Sequence, residues 1–214
     1  MNNCMLDLET VGTRPGCAVL SIGAAMFDFE AMKIGETFYQ AIVPESNKTF
    51  GLHFDPSTEQ WWSRQSEEAR AVWSDPNAMA LDEVLTMFSA WCREQAGIRS
   101  FYVWGNGANF DDPVLAAAYH ATGINKPWEF WNSRCYRTIK SLSPAVPLIK
   151  PTVAHNALAD ALAQAQAALD MFAALKGSAK PAAQTRAAKA LAKKFATPVV
   201  TSKTIQATKK VAKK

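Results

Sequence analysis

Asp7 and Glu9 in the run MLDLET, Asp111 in WGNGANFDDPVL, and His155 and Asp160 in AHNALAD are the residues of this chain best suited to do chemistry. Each of the four carboxylates lies in apolar sequence, and a buried acid is costly unless it is paired or bound to metal. Carboxylate oxygens hold hard cations such as Mg²⁺ and Mn²⁺, and no Cys/His cluster points to zinc. An imidazole near its ordinary pKa of about 6.5 accepts a proton at neutral pH. Four acids and one histidine in such settings are what a magnesium-dependent phosphodiester hydrolase needs.

Local pattern says how these residues are positioned. Polar and apolar residues alternate from Cys4 to Thr10. On a strand, Asp7 and Glu9 then share one face, roughly 6–7 Å apart, with Leu6 and Leu8 on the other. Two anions that close call for a divalent cation; the alternative is an edge strand with a solvated polar face. Phe101–Trp104 reads as a buried strand that runs into a Gly/Asn turn, with a helix starting near Asp112-Pro113 and reaching Thr122. Asp111 therefore lies just past the carboxyl end of a strand, where open α/β sheets place ligands, or it serves only as that helix's N-cap. His155 and Asp160, five residues apart, would be rotated by about 140° on one helix. His155 is accordingly expected in the loop after Pro151-Thr152, and Asp160 inside a helix Ala157–Leu175 that begins near Asn156. Leu158, Leu162, Leu169 and Phe172 are its candidate core residues. His53 and His120 read as surface residues.

The remaining elements read as strands over 17–29 and 34–43, helices over 58–69 and 81–95, the latter ended by Gly97, and a short strand near 130–132. A strand-rich start followed by βα alternation implies an α/β mixed sheet flanked by helices. Residues 1–175 suffice for one domain. The chain then changes character. Residues 176–214 hold 11 Lys and Arg and no acid, so of the 23 basic and 19 acidic residues the first 175 carry 12 and 19, a net of −7. This Lys/Ala-rich basic tail is expected to be disordered for want of anything to bury. It reads either as a tether that grips nucleic-acid phosphates without sequence preference or as a solubilising extension. No run approaches the length of a membrane span, no secretory leader is visible, and Cys4, Cys17, Cys92 and Cys135 show no framework spacing. Reduced thiols in a cytoplasmic protein are the expectation.

D-x-E, then N-x-x-x-F-D, then H-x-x-x-x-D, in that order, resemble the three exonuclease motifs of the DEDDh group, the DnaQ-like 3′–5′ exonucleases on a ribonuclease-H-like fold. The resemblance covers about residues 1–175. It extends to a phage and bacterial subgroup through Asp7–Thr10, Ser21–Ala24, the T-x-x-W-W-x-x-Q element Thr58–Gln65, and Trp104–Asp111. It implies a ribonuclease-H-like mixed five-stranded sheet flanked by helices, with Asp7, Glu9, Asp111 and Asp160 as metal ligands and His155 as general base. Asn156 excludes the relatives that carry a tyrosine four residues before the last aspartate. It further implies hydrolysis assisted by two Mg²⁺ or Mn²⁺ ions about 3.5–4 Å apart, which releases nucleoside 5′-monophosphates from a 3′ end. One departure stands in the second motif, where many relatives have His-Asn and this chain has Gly105-Asn106. The placement of Asp111 carries over; the way that motif meets substrate does not.

Thr10, Asn106 and Trp62 are the expected substrate contacts. Trp61 and Trp62 point about 100° apart on a helix, so one packs inward while the other offers a stacking face for a single strand, unless both are core anchors. Arg134 and Arg137 face phosphates or surface acids. The expected partner is single-stranded nucleic acid at its 3′ end, DNA ahead of RNA, with homodimers frequent among exoribonuclease relatives. Two rival functions are an inactive nucleic-acid-binding module and a ribonuclease-H-like endonuclease.

Overall fold

The computed structural model describes residues 1–96 and 101–177. Gly97, expected to end a helix, and residues 178–214, on which most of the basic-tail expectation falls, lie outside the described residues.

Five strands form one sheet in the order β3-β2-β1-β4-β5. β1 (Asn3–Thr10), β2 (Val19–Asp28) and β3 (Lys33–Ala41) are antiparallel neighbours, while β4 (Tyr102–Gly105) and β5 (Ser133–Cys135) join β1 in parallel. The helices are α1 (Pro44–Thr49), α2 (Pro56–Trp62), α3 (Glu67–Arg70), α4 (Leu81–Ala96), α5 (Asp111–Thr122), α6 (Tyr136–Leu142) and α7 (Ala157–Leu175).

Alternation along β1 sorts its side chains between two cores. Cys4, Leu6 and Leu8 join Val84, Leu85 and Phe88 of α4 and Val114, Leu115 and Ala118 of α5 on one face. Met5 joins Ala161, Ala165 and Ala168 of α7 on the other. Asp7 and Glu9 share the parity of Met5 and so project toward α7. A mixed sheet covered on both faces is the ribonuclease-H-like arrangement expected from the motifs.

Four local readings are corrected. The segment 58–69 is not one helix: it breaks after Trp62, and the Ser66 hydroxyl then caps α3 by accepting from the Ala69 N–H. Residues 130–132 form a 3₁₀ turn with the strand one step later, at Ser133–Cys135. Helices α1 and α6 had no counterpart in the sequence reading. On α7 the fully packed face is made of alanines with Leu169 and Met171, while Leu158, Leu162 and Phe172 are only half-buried.

The alanines follow from how closely α7 approaches the sheet. A Cβ on Gly23 of β2 would lie 2.1 Å from the Ala157 carbonyl carbon and 2.3 Å from the Leu158 nitrogen. Backbone on both sides leaves no flexible side chain to yield. Gly23→Ala is therefore expected to destabilise the protein by at least the upper end of the ~1–3 kcal/mol typical of overpacking, lowering Tm by roughly 6 °C or more. Activity should fall further than stability, because the displaced helix carries Asp160. A melt matching wild type would contradict the close approach.

Candidate active site

The site is built where β1, β4 and the start of α7 meet. Asp7 and Glu9 come from β1, and Asp160 comes from the first turn of α7, which Asn156 starts by accepting from the Ala159 N–H at 3.0 Å. A carboxylate oxygen from each of Asp7, Glu9 and Asp160 lies within 4.8 Å of the other two. Asp111 stands beside this trio rather than in it. It opens α5, with one oxygen accepting from the Leu8 N–H at 3.3 Å and the other from the Asn106 N–H at 2.9 Å. It is therefore not a helix cap; it ties the second motif to β1. Gly105 permits this, since a Cβ there would come within 2.9 Å of the Asp111 carboxylate. The glycine that departs from the family motif thus has a steric reason in this chain.

All four acids line a cleft of about 590 Å³ with His155, within the usual size of a small-ligand site. His155 sits in the loop before α7 with φ +59°. Its ring and that of Trp61 meet edge to face at 4.8 Å between centroids. Trp61 is 41 % exposed, whereas Trp62 is 2 % exposed and donates from Nε1 to the Thr10 carbonyl at 2.8 Å. The expectation for Trp62 thus needs correcting: its ring edges the cleft but is held in the packed wall, and the ring open for stacking is Trp61. Thr10 and Asn106 both border the cleft. The Thr10 hydroxyl donates to the Gly12 carbonyl at 2.8 Å, and Asn106 Oδ1 accepts from Arg137 Nε at 3.2 Å.

The electrostatics are those of an anion cluster with no salt bridge to a lysine or arginine among the described residues. Burial, then the charges of Asp111, Glu9 and Asp160, push the Asp7 carboxyl well above the usual range, against a lowering hydrogen bond from Gln164. Burial and the charges of Asp160 and Asp111 raise Glu9 to about 8. Burial raises Asp111 to about 6, even though the Asn106 and Leu8 amides and Arg137 favour its charged form. Burial raises Asp160 as well, partly offset by His155. Among the described residues the ion pair formed is Lys126–Asp112, so none of the four acids has a lysine or arginine partner.

Gln164 was not singled out from sequence. It lies one turn beyond Asp160 on α7, 8 % exposed, and donates from Nε2 to Asp7 Oδ1 at 2.8 Å while its own Oε1 has no partner. The i+4 spacing from Asp160 to Gln164 was the signal available. An all-oxygen donor set, raised carboxyls and the unpartnered Gln164 Oε1 at its border fit a hard divalent cation.

A family described as the 3′–5′ exoribonuclease Rv2179c-like domain matches residues 2–172. The chain belongs to that family. It is a 3′–5′ exonuclease. Over 192 residues the exonuclease is 27% identical to the exodeoxyribonuclease of Enterobacteria phage T4, spanning 75% of this chain and 84% of that protein. Its fold is similar to the nuclease domain of 3′hExo, a DEDDh family member solved with rAMP, at TM-score 0.54 and 14% identity over 79% of this chain and 90% of that one. It is also similar to exonuclease I from Methylocaldum szegediense, at TM-score 0.55 and 19% identity over 82% of this chain and 42% of that one.

The raised carboxyls give the metal-free exonuclease a pH signature. Unfolding returns these acids to ~4, so between that value and about 6 for Asp111 and about 8 for Glu9 the folded state holds more protons than the unfolded. Stability then falls as pH rises through that window. In EDTA, Tm should drop steadily from pH 5 to pH 8, and Mg²⁺ should restore more of it at pH 8 than at pH 5. Glu9→Gln should flatten the drop; an unaltered slope in that variant would contradict the assignment.

Proposed function

We propose that this exonuclease degrades single-stranded nucleic acid from its 3′ end, DNA in preference to RNA, with two Mg²⁺ or Mn²⁺ ions held by Asp7, Glu9, Asp111 and Asp160. The observation that carries the reading is the trio of carboxylates with ligand oxygens within 4.8 Å, without a salt bridge to any lysine or arginine among the described residues and next to His155 in one cleft. When bound, such cations polarise phosphoryl oxygen and favour deprotonation of water.

The chain's own residues do the rest. His155 takes the proton of the attacking water, its ring positioned by its edge-to-face contact with Trp61 and by the turn at φ +59°. Trp61 offers its exposed face to the terminal base. Arg137, hydrogen-bonded to Asn106, faces a substrate phosphate, and Thr10 and Asn106 frame the terminal nucleotide. Gln164 fixes the Asp7 carboxylate, and its free Oε1 accepts from water in the site. The product of each cycle is a nucleoside 5′-monophosphate.

Likeness to the phage T4 exodeoxyribonuclease over 84% of its length supports DNA. The family's description as exoribonuclease supports RNA as a second reading. In the proposed function the basic residues of 176–214 hold nucleic-acid phosphates, and the protein works in the cytoplasm, as a homodimer if it follows exoribonuclease relatives.

Digestion of matched 5′-labelled DNA and RNA single strands should give ladders shortening from the 3′ end, abolished by EDTA and by Asp7→Asn, and faster on DNA. Faster loss of RNA would select the second reading, and internal cuts on a 3′-blocked strand would make this an endonuclease. His155→Ala should lower kcat by about 10²–10⁴ with strand binding retained. Gln164→Leu should weaken Mn²⁺ binding, read by calorimetry, by about 10–100-fold; unchanged affinity would remove Gln164 from the site.

A further inference from the structure

Two large aromatic side chains lie bare on the surface away from the cleft. Phe130 is 75 % and Trp131 is 62 % exposed, with their rings edge to face at 4.8 Å. They occupy the turn immediately before β5, the edge strand of the sheet. We propose that Phe130, Trp131 and Arg134 form an outer platform for the 5′-ward part of a single-stranded polynucleotide whose 3′ end occupies the cleft. This inference rests on the exonuclease reading above.

Strand register connects the platform to the site. Asn3 is level with Tyr102, Met5 with Trp104, and Trp104 with Arg134. By alternation, Tyr102, Trp104 and Arg134 project from the same face of the sheet as Asp7 and Glu9. β5 runs parallel to β4 and β1, so the chain from Trp131 to Arg137 leads toward the carboxyl edge where the cleft lies. Trp131 to Cys135 spans four residue steps, about 13 Å of extended chain, the reach of a short stretch of single strand.

Arg134 stands between the two ends of this path. Its guanidinium lies over the Tyr102 ring at 4.5 Å and donates to the Trp131 carbonyl at 3.0 Å and the Ser133 carbonyl at 2.9 Å. Arg137 follows at the cleft. Neither arginine forms a salt bridge among the described residues, Arg137 acting on Asp111 only through its charge, whereas nearby Lys126 is paired with Asp112. The segment from Lys126 to Arg137 carries three cations against the single acid Glu129.

Bare rings that bases can stack on, followed by unpaired guanidinium groups on the way to a phosphodiester-cleaving cleft, are the ingredients of a sequence-tolerant single-strand track. A second copy of this chain would also cover apolar rings. It would not call for two arginines free of salt bridges along the route to the acids, so the polynucleotide is the occupant the observations favour.

The test compares substrates that end within the cleft with substrates that reach the platform. With the full chain and Mg²⁺, the double variant Phe130→Ala/Trp131→Ala should raise KM for a dodecamer by about tenfold or more, while KM and kcat for a dinucleotide stay as in wild type. Arg134→Gln should raise dodecamer KM and reduce the salt dependence of binding by about one phosphate contact. Both variants alter exposed or edge positions and should melt with wild type. Fluorescence anisotropy of a labelled dodecamer gives the same comparison without turnover, so an inactive wild type would overturn hydrolysis while still scoring the surface. Equal effects on dinucleotide and dodecamer, or no effect on either, would overturn the platform. So would a double variant that sediments as a monomer where wild type is a dimer, since the rings would then belong to an interface between copies.

Discussion

Mutual repulsion among carboxylates held out of water is the constraint to which the rest of this structure answers. Asp7, Glu9 and Asp160 bring ligand oxygens within 4.8 Å of one another, a separation at which two unit charges repel by about 3–4 kcal/mol at an effective dielectric near 20. No lysine or arginine pairs with them among the described residues. Such a cluster persists only if the surrounding fold holds its members in place and a counter-ion or protons relieve the charge. The sheet supplies the hold for Asp7 and Glu9, which pair with Gly23 and Ser21 of β2 on a strand whose first half is also paired with β4. The contact of α7 with Gly23 supplies it for Asp160. Asp111, its two oxygens spent on backbone amides of β1 and the following turn, locks the second motif to the first.

The same constraint explains features that otherwise look unrelated. The alanine face of α7 is the cost of bringing a helix start close enough for Asp160 to reach the β1 acids; leucines there would hold the helix away. Gly105 leaves space for the Asp111 carboxylate where a side chain would not. Trp62 pins the carbonyl of Thr10, the residue after Glu9, and thereby fixes the end of β1. Its neighbour Trp61 is left to meet His155 and solvent. One of two adjacent tryptophans is packed in the wall and the other is exposed at the cleft.

Much of this was legible in the sequence, for identifiable reasons. Period-two alternation in MLDLET put two acids on one face because a strand admits no other arrangement. The interval from His155 to Asp160 put one in a loop and one on a helix because five residues do not return to the same face. What was not legible depended on distant partners. Which tryptophan turns inward is decided by a carbonyl 52 positions away, and which residues of α7 pack is decided by a glycine on β2. The aromatic run 130–132 reads as a strand by propensity, yet the ladder with β4 starts only at Ser133. Gln164 looks like one more polar residue in an alanine-rich helix until Asp7 is placed opposite it.

The central claim is that these acids are gathered to hold divalent cations, and anomalous X-ray diffraction from crystals grown with Mn²⁺ tests it most directly. The account predicts manganese peaks in contact with Asp7, Glu9 and Asp160, one of them shared with or adjacent to Asp111, and their loss in Asp7→Asn crystals. Full Mn²⁺ exposure with no peak at the carboxylates, or with the acids carrying protons and bonded to one another, would contradict it.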